Sequence, residues 1–222
     1  MYKTVTHNIV EEHYANPEMV PSSGLPMYTM NEDTMMFRMD SRSLWAKFAW
    51  GLLNYGISMS ANLPEKELVE ARVSKNAQAL GDFITPYYGM SAGVRLSGLL
   101  SAIGQVGIDV VKATKEGEKL EKLKLMWVDQ IDSLAKFLVD LNPGNWPETL
   151  TKDYFSNLVT FWVDEITARA AKNGIADEIA IDNINKLIVL GVRNSVPTHK
   201  TSSWSDIFSR GIVAQYPTLF SE

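Results

Sequence analysis

The chain of 222 residues has no cysteine and only three histidines. The absence of thiols excludes disulfides, cysteine nucleophiles, and zinc or iron–sulfur centres with cysteine ligands. His7, His13 and His199 stand outside the long helical patterns, and no Glu-x-x-His pair of the kind that di-iron bundles use occurs in the sequence. We therefore expect no metal site and no cofactor. Nucleophilic catalysis would have to use a lysine or a carboxylate as its base.

Positive charge is scarcer than negative charge. The chain carries 21 basic and 26 acidic residues, a net charge of -5, and the basic residues are scattered rather than gathered along one stripe. This composition argues against a nucleic-acid partner and makes binding to an anionic membrane surface unfavourable. The first residues contain no apolar segment of the secretory type, so we expect a cytoplasmic protein.

Residues 48–64 form an uncharged run that comes near the length of a membrane-spanning helix, which is about 20 residues. The run includes Asn54, Asn62 and several serines and glycines, whose polar groups would be poorly satisfied in lipid. We therefore interpret this segment as part of a central, buried helix that packs against neighbours on nearly all sides.

Segments with apolar residues at helical spacing follow one another from Ser41 onward. Turns that contain proline, glycine or asparagine separate them. The predicted helical segments are 44–62, 64–76 with a further apolar piece at 79–84, 91–116, 120–141, 147–172, 176–193 and 203–216. Because short connections favour antiparallel neighbours, we predict an all-α, antiparallel up-and-down bundle of about five to seven helices over residues 41–222.

Residues 1–40 lack sustained periodicity and contain seven of the ten methionines, so we predict an irregular N-terminal arm. Methionine adapts to irregular apolar surfaces, and the segment 28–39 is therefore expected to lie against the bundle or against a second subunit. Together with the strongly apolar helices, the second alternative favours a homodimer.

Four glycines, Gly93, Gly98, Gly104 and Gly107, interrupt the apolar pattern of the segment 91–116. Each would cost a helix on the order of 0.5 to 1 kcal/mol relative to alanine, so we expect a compensating role. Close approach of a neighbouring helix is one such role, and room for a ligand is another.

Several short blocks stand out along the chain: LW at 44–45, NLP at 62–64, PYYG at 86–89, NP and a following Trp at 142–146, and the ending GIVAQYP at 211–217. Over roughly residues 44–217 this pattern resembles an uncharacterised family of small all-helical bacterial proteins. The N-terminal arm and the insertion SVPTHKTSS lie outside the resemblance. The resemblance implies the helical fold.

Members of that family are sometimes labelled acetylglutamate kinases, and the physical character of this chain argues against that label. An amino-acid kinase needs alternating strands and helices, with a glycine-rich phosphate loop at the end of a strand. The family often has a histidine in its first long helix and another after the NP turn, where this chain has Phe48 and, near the second position, Leu158. A metal site built on those histidines in relatives would be lost here.

Aromatic and polar side chains on the first, glycine-rich and fifth long helical segments are candidates for a pocket between helices. The candidate ligand-binding residues are Trp50, Asn54, Tyr55, Asp109, Trp162 and Glu165. The alternative is that the aromatic residues fill the core and the two acids face water or an interface. A buried, unpaired carboxylate would instead imply a cationic partner or a raised pKa.

These observations favour a non-enzymatic helical-bundle protein that binds an interaction partner or a small ligand. A small molecule would lie in the bundle core. The alternative is a small-molecule or metal enzyme with its site in the same core, which requires a residue such as Glu165 to be buried and to face Tyr55 or Asp109 across a cavity.

Overall fold

The computed structural model describes residues 31–193 and 200–220, and α-helices make up most of this part of the chain. The helices are α1 (Glu32–Ser60), α2 (Lys66–Tyr88), α3 (Met90–Glu116), α4 (Glu121–Leu141), α5 (Glu148–Ala170), α6 (Gly174–Asn185) and α7 (Trp204–Gln215). A π-helical turn (Lys186–Leu190) follows α6, and a 3-10 turn (Pro217–Phe220) follows α7. The predicted all-α bundle is therefore confirmed.

A two-residue antiparallel pair, β1 (Val192–Arg193) with β2 (Lys200–Thr201), lies between the π-helical turn and α7. The sequence predicts helix up to residue 193, but regular α-helix ends at Asn185. His199, like His7 and His13, lies outside the described residues.

α1 begins at Glu32 rather than near Ser41. The side-chain oxygen of Asn31 accepts a hydrogen bond from the backbone N–H of Thr34, and the Thr34 hydroxyl accepts one from the N–H of Asn31. This reciprocal pair is a capping box, which satisfies free donors at the start of a helix. The prediction of irregular structure is therefore wrong for residues 32–40, whereas residues 1–30 lie outside the described part of the chain.

α2 is continuous where the sequence predicts a break. Val73, Ala77, Leu80 and Ile84 recur at helical spacing and are buried, so the polar residues between them only mark the solvent side of one helix. Pro86 falls in the last turn of α2, and the helix ends two residues later at Tyr88.

α2 and α3 approach closely where two glycines face each other. A Cβ atom on Gly93 would lie 2.7 Å from the carbonyl oxygen of Gly81, too close for any side chain. Gly104 and Gly107 are similarly crowded, by Val73 and by Leu52 with Trp127, respectively. Close helix approach therefore explains three of the four glycines in α3, whereas Gly98 faces open space.

α3 packs against α1, α2, α4 and α5. Among the described residues it is the one helix long and apolar enough to cross a bilayer, and 61% of its most apolar window is buried inside the protein. α1 is less enclosed than predicted, because Lys47, Trp50, Asn54 and Ile57 form an exposed stripe along it. The prediction that α1 packs on nearly all sides is wrong on this face.

The sequence blocks at 86–89, 142–146 and 211–217 converge in space. The Asn142 side-chain amide donates to the carbonyl of Gly211 (2.8 Å) and to the Tyr88 hydroxyl (3.2 Å), and that hydroxyl donates to the Gln215 side-chain oxygen (2.6 Å). A Cβ on Gly211 would collide with the Trp146 indole. These contacts hold α7 against the α2–α3 and α4–α5 connections, so the blocks have a structural role.

The beginning of α1 lies beside the end of the described chain. The Asn31 side-chain amide donates to the carbonyl of Phe220 at 2.6 Å. The Phe37 and Phe220 rings lie 5.0 Å apart, which adds an aromatic contact to this hydrogen bond.

Candidate functional site

The six predicted ligand-binding residues do not gather in one place. Trp50 and Asn54 line an open groove between α1 and α2, and Trp162 lies in the core. Tyr55 and Asp109 lie where α1, α2 and α3 meet, and Glu165 is buried between α5 and α1.

The α1–α2 groove, as we call the surface lined by Trp50, Asn54, Ile57, Leu68, Val69 and Arg72, has a volume of about 730 Å³. This lies within the range of about 300 to 1,000 Å³ that is typical of small-molecule sites. Ile57 and Leu68 are 39% and 76% exposed, so apolar surface faces water from both helices. Lys47, Glu65 and Arg72 add charged groups to the lining.

Trp50 is the exposed tryptophan of this protein. It is 45% exposed, whereas each of the other five tryptophans is at most 1% exposed. Its indole N–H donates to the side-chain oxygen of Asn185 at 2.9 Å. This bond ties the polar edge of the ring to the end of α6 and leaves part of the ring facing the groove.

Tyr55 and Asp109 belong to a polar contact among three helices. Lys112 of α3 pairs with Glu70 of α2 at 3.0 Å, and its ammonium group lies 6.0 Å from the centroid of the Tyr55 ring. Burial raises the pKa of Tyr55, and the negative charges of Glu70 and Asp109 raise it further. Tyr55 therefore stays a neutral phenol at physiological pH.

Trp162 is a core residue. Its indole N–H donates to the carbonyl of Ala49 at 3.1 Å, and its ring stacks on that of Trp127 with centroids 5.8 Å apart. The Trp127 indole N–H donates to the carbonyl of Ile103 at 2.8 Å. With both N–H groups satisfied, this aromatic pair is explained by packing of α1, α3, α4 and α5.

Glu165 is fully buried, and only one of its carboxylate oxygens is paired. Oε1 accepts from Arg169 Nε at 2.6 Å, whereas Oε2 makes no hydrogen bond to any residue the structure describes. Arg169 also donates through Nη2 to Asp177 at 2.9 Å. Burial raises the pKa of Glu165 from 4.5 to about 7, although the neighbouring Arg169 acts in the opposite direction.

Glu165 lies beside Arg169, Asp177 and Gly56, rather than Tyr55 or Asp109. A Cβ atom on Gly56 would lie 3.7 Å from Glu165 Oε2. Gly56 in turn lines a second pocket of about 480 Å³, where the C-terminal ends of α1, α3 and α5 meet.

We call this second pocket the end pocket and define it by Gly56, Met59, Val111, Lys115, Ile166, Arg169 and Lys172. Its basic residues, Lys115, Arg169 and Lys172, are not among the site residues that the sequence predicts. Lys115 and Arg169 stand in the last turns of their helices, where positive charge normally complements the helix dipole. Only the packing of three helices brings these ends together.

Residues 89–93, GMSAG, match the Gly-x-Ser-x-Gly spacing of a hydrolase nucleophile elbow. That elbow requires a strand before the serine and a base within reach. Here the motif joins two helices, Gly93 packs against Gly81, and none of the described residues is a histidine. The motif is therefore explained by the α2–α3 packing.

Within residues 31–193 and 200–220, no group of three or more His, Asp or Glu side chains could hold a metal ion. None of the protein-family models, curated proteins or solved structures compared with this chain matches it, so the family resemblance stays a prediction.

Proposed function

We propose that this protein is a non-enzymatic helical-bundle protein that binds a small amphiphilic molecule in the α1–α2 groove. The observation that supports this function best is the exposed, hydrogen-bonded Trp50 at the wall of an apolar groove. A large aromatic ring held in one orientation offers contact area at little cost in side-chain entropy.

The lining of the groove suggests the kind of molecule. Ile57, Leu68 and Val69 offer apolar contacts, and the exposed amide of Asn54 can donate or accept a hydrogen bond. Lys47 and Arg72 outnumber Glu65 among the charged groups of the lining. We therefore expect an apolar body with a polar or acidic end.

The test uses 8-anilinonaphthalene-1-sulfonate, a fluorescent, apolar and anionic probe. We expect saturable binding that quenches Trp50 by energy transfer, and about tenfold weaker binding to Leu68→Ser, which corresponds to about 1.4 kcal/mol. Trp50→Phe should reduce this quenching, because Trp50 is the tryptophan that lines the groove.

Leu125→Ser is the matched control for Leu68→Ser. Leu125 on α4 is 68% exposed, close to the 76% of Leu68, and it lies outside the groove. We expect it to leave probe affinity unchanged. Equal weakening by both substitutions would mean that the probe binds exposed apolar residues generally, which would refute the groove as a site.

The alternative of an enzyme in the bundle core has one supporting observation. The pKa of Glu165 is raised to about 7, a value suited to general acid–base catalysis. However, Trp162 fills the core, and Glu165 is fully buried beside Arg169. We therefore favour the binding function.

We also propose that the protein is a homodimer. Met35, Met36 and Met39 are 47%, 55% and 64% exposed on α1, and thioether side chains of this kind adapt well to a second apolar surface. This arrangement supports the alternative in which the methionine-rich segment contacts a second subunit.

A further inference from the structure

The end pocket presents positive charge without a compensating acid in its lining. Lys115 comes from α3, Arg169 from α5 and Lys172 from the residues that follow α5, and no acidic side chain is among the described residues that line the pocket. Glu165 and Asp177 pair with Arg169 from outside the lining.

Arg169 is held in place by these two acids. Its Nε donates to Glu165 and its Nη2 to Asp177, while the residue itself lines the pocket. A guanidinium group has five N–H donors, so these two bonds leave donors for a ligand. A cation fixed by acids behind it is preorganised to bind an anion.

The rest of the lining is largely apolar. Met59, Val111 and Ile166 contribute hydrophobic side chains. Gly56 also lines the pocket and has no side chain on the side that faces Glu165. The volume of about 480 Å³ suits a small organic molecule. The pocket thus combines a charged side with an apolar side.

We propose that the end pocket binds a small organic carboxylate, whose acid group contacts Arg169 and Lys115 and whose apolar part lies against Met59, Val111 and Ile166. This site is separate from the α1–α2 groove and does not depend on the function proposed for it.

Part of the positive charge has an ordinary structural role. The Lys115 ammonium donates to the carbonyl of Met59 at 2.8 Å and so caps the end of α1. A helix C-terminus carries roughly half a negative charge, so three such ends offset about half of the three cations. Asp177 offsets further charge on Arg169, so net positive charge is available to an anion when Glu165 is protonated.

Protonation of Glu165 is coupled to this site. A bound carboxylate near Arg169 disfavours the ionised form of Glu165, so binding takes up protons around its pKa of about 7. The charged groups that face Glu165 are Arg169 on its own helix and Asp177 on α6, and α1 presents the uncharged Gly56. We therefore expect anion affinity to rise as the pH falls from about 8 to about 6, on either side of that pKa.

The experiment is a titration of the full-length, ¹⁵N-labelled protein with sodium butyrate, at ionic strength held constant with sodium chloride. We expect a saturable shift of the Arg169 Nε–H resonance. Lys115→Gln and Lys172→Gln should each raise the dissociation constant about fivefold, as expected for about 1 kcal/mol of charge interaction. Lys172→Gln keeps the Met59 cap and so tests the site if Lys115→Gln disturbs the fold.

Lys136→Gln, an exposed residue of α4, removes the same charge away from the pocket and should leave the affinity unchanged. Glu165→Gln should abolish the pH dependence of binding, an effect that a purely structural role would not produce. Equal affinity in all variants, butyrate shifts confined to the α1–α2 groove, or tighter binding of inorganic phosphate at these residues would each overturn the proposal.

Discussion

Glu165 lies buried in α5, and its burial raises its pKa from 4.5 to about 7. At pH values between these two pKa values, Glu165 is protonated in the folded chain and ionised in the unfolded chain. The folded state therefore binds more protons and loses stability as the pH rises. We expect the free energy of unfolding to fall by about 3 kcal/mol across this interval on account of Glu165 alone. Urea unfolding at a series of pH values measures this change.

Glu165→Gln keeps the shape of the side chain and cannot ionise, so its stability should lack this fall with pH. Asp153→Asn, at an exposed position of the same helix, is the control and should keep the fall. If wild type and Glu165→Gln lose stability in parallel, the raised pKa of Glu165 is contradicted.

At the scale of elements, the α2–α3 contact depends on glycine at its crossing point. In Gly93→Ala the new methyl group would lie 2.7 Å from the carbonyl oxygen of Gly81, so the helices must separate. We expect a loss of about 1 to 3 kcal/mol in the free energy of unfolding. Gly98→Ala, in the same helix but facing open space, should instead gain about 0.5 to 1 kcal/mol. Equal effects in urea unfolding would contradict the close crossing.

The sequence predicts the bounds of single helices better than it predicts which helices pack against each other. The sequence predicts α3 at 91–116 and the structure has it at Met90–Glu116, because its large apolar residues keep helical spacing on both sides of each glycine. The sequence divides α2 into two pieces, because the polar residues near Asn76 resemble a break. The structure shows that they lie on one continuous helix, whose buried face packs against α3. Periodicity reports which residues share a face, but only packing decides which face is covered.

The same limit applies to the candidate site residues. Trp50 and Asn54 are four residues apart and share a face, so both line the groove. Tyr55 is next to Asn54 in sequence, so it points in a different direction and is buried. The basic residues of the end pocket lie far apart in sequence and leave no local signal of their proximity.

At the scale of the whole molecule, the predicted dimer can be tested through the methionine face of α1. We expect light scattering at tens of micromolar to give twice the monomer mass of 24.8 kDa. Met36→Glu with Met39→Glu should restore the monomer, because charge at a buried apolar interface is costly. Leu125→Glu, exposed on α4, should leave the dimer intact. A monomeric wild-type protein would refute the dimer.

The hydrogen bond between Asn31 and Phe220 makes the described chain nearly a closed ring. A circular permutant could join these two positions through a short linker and open the ring at the turn after Gly117, between α3 and α4. The Asn31–Phe220 contact, whose sequence separation is 189, would then join residues close together in sequence, and each helix would keep the same neighbours in space. Folding of this permutant would show that the order of the helices along the chain is separable from their arrangement in space.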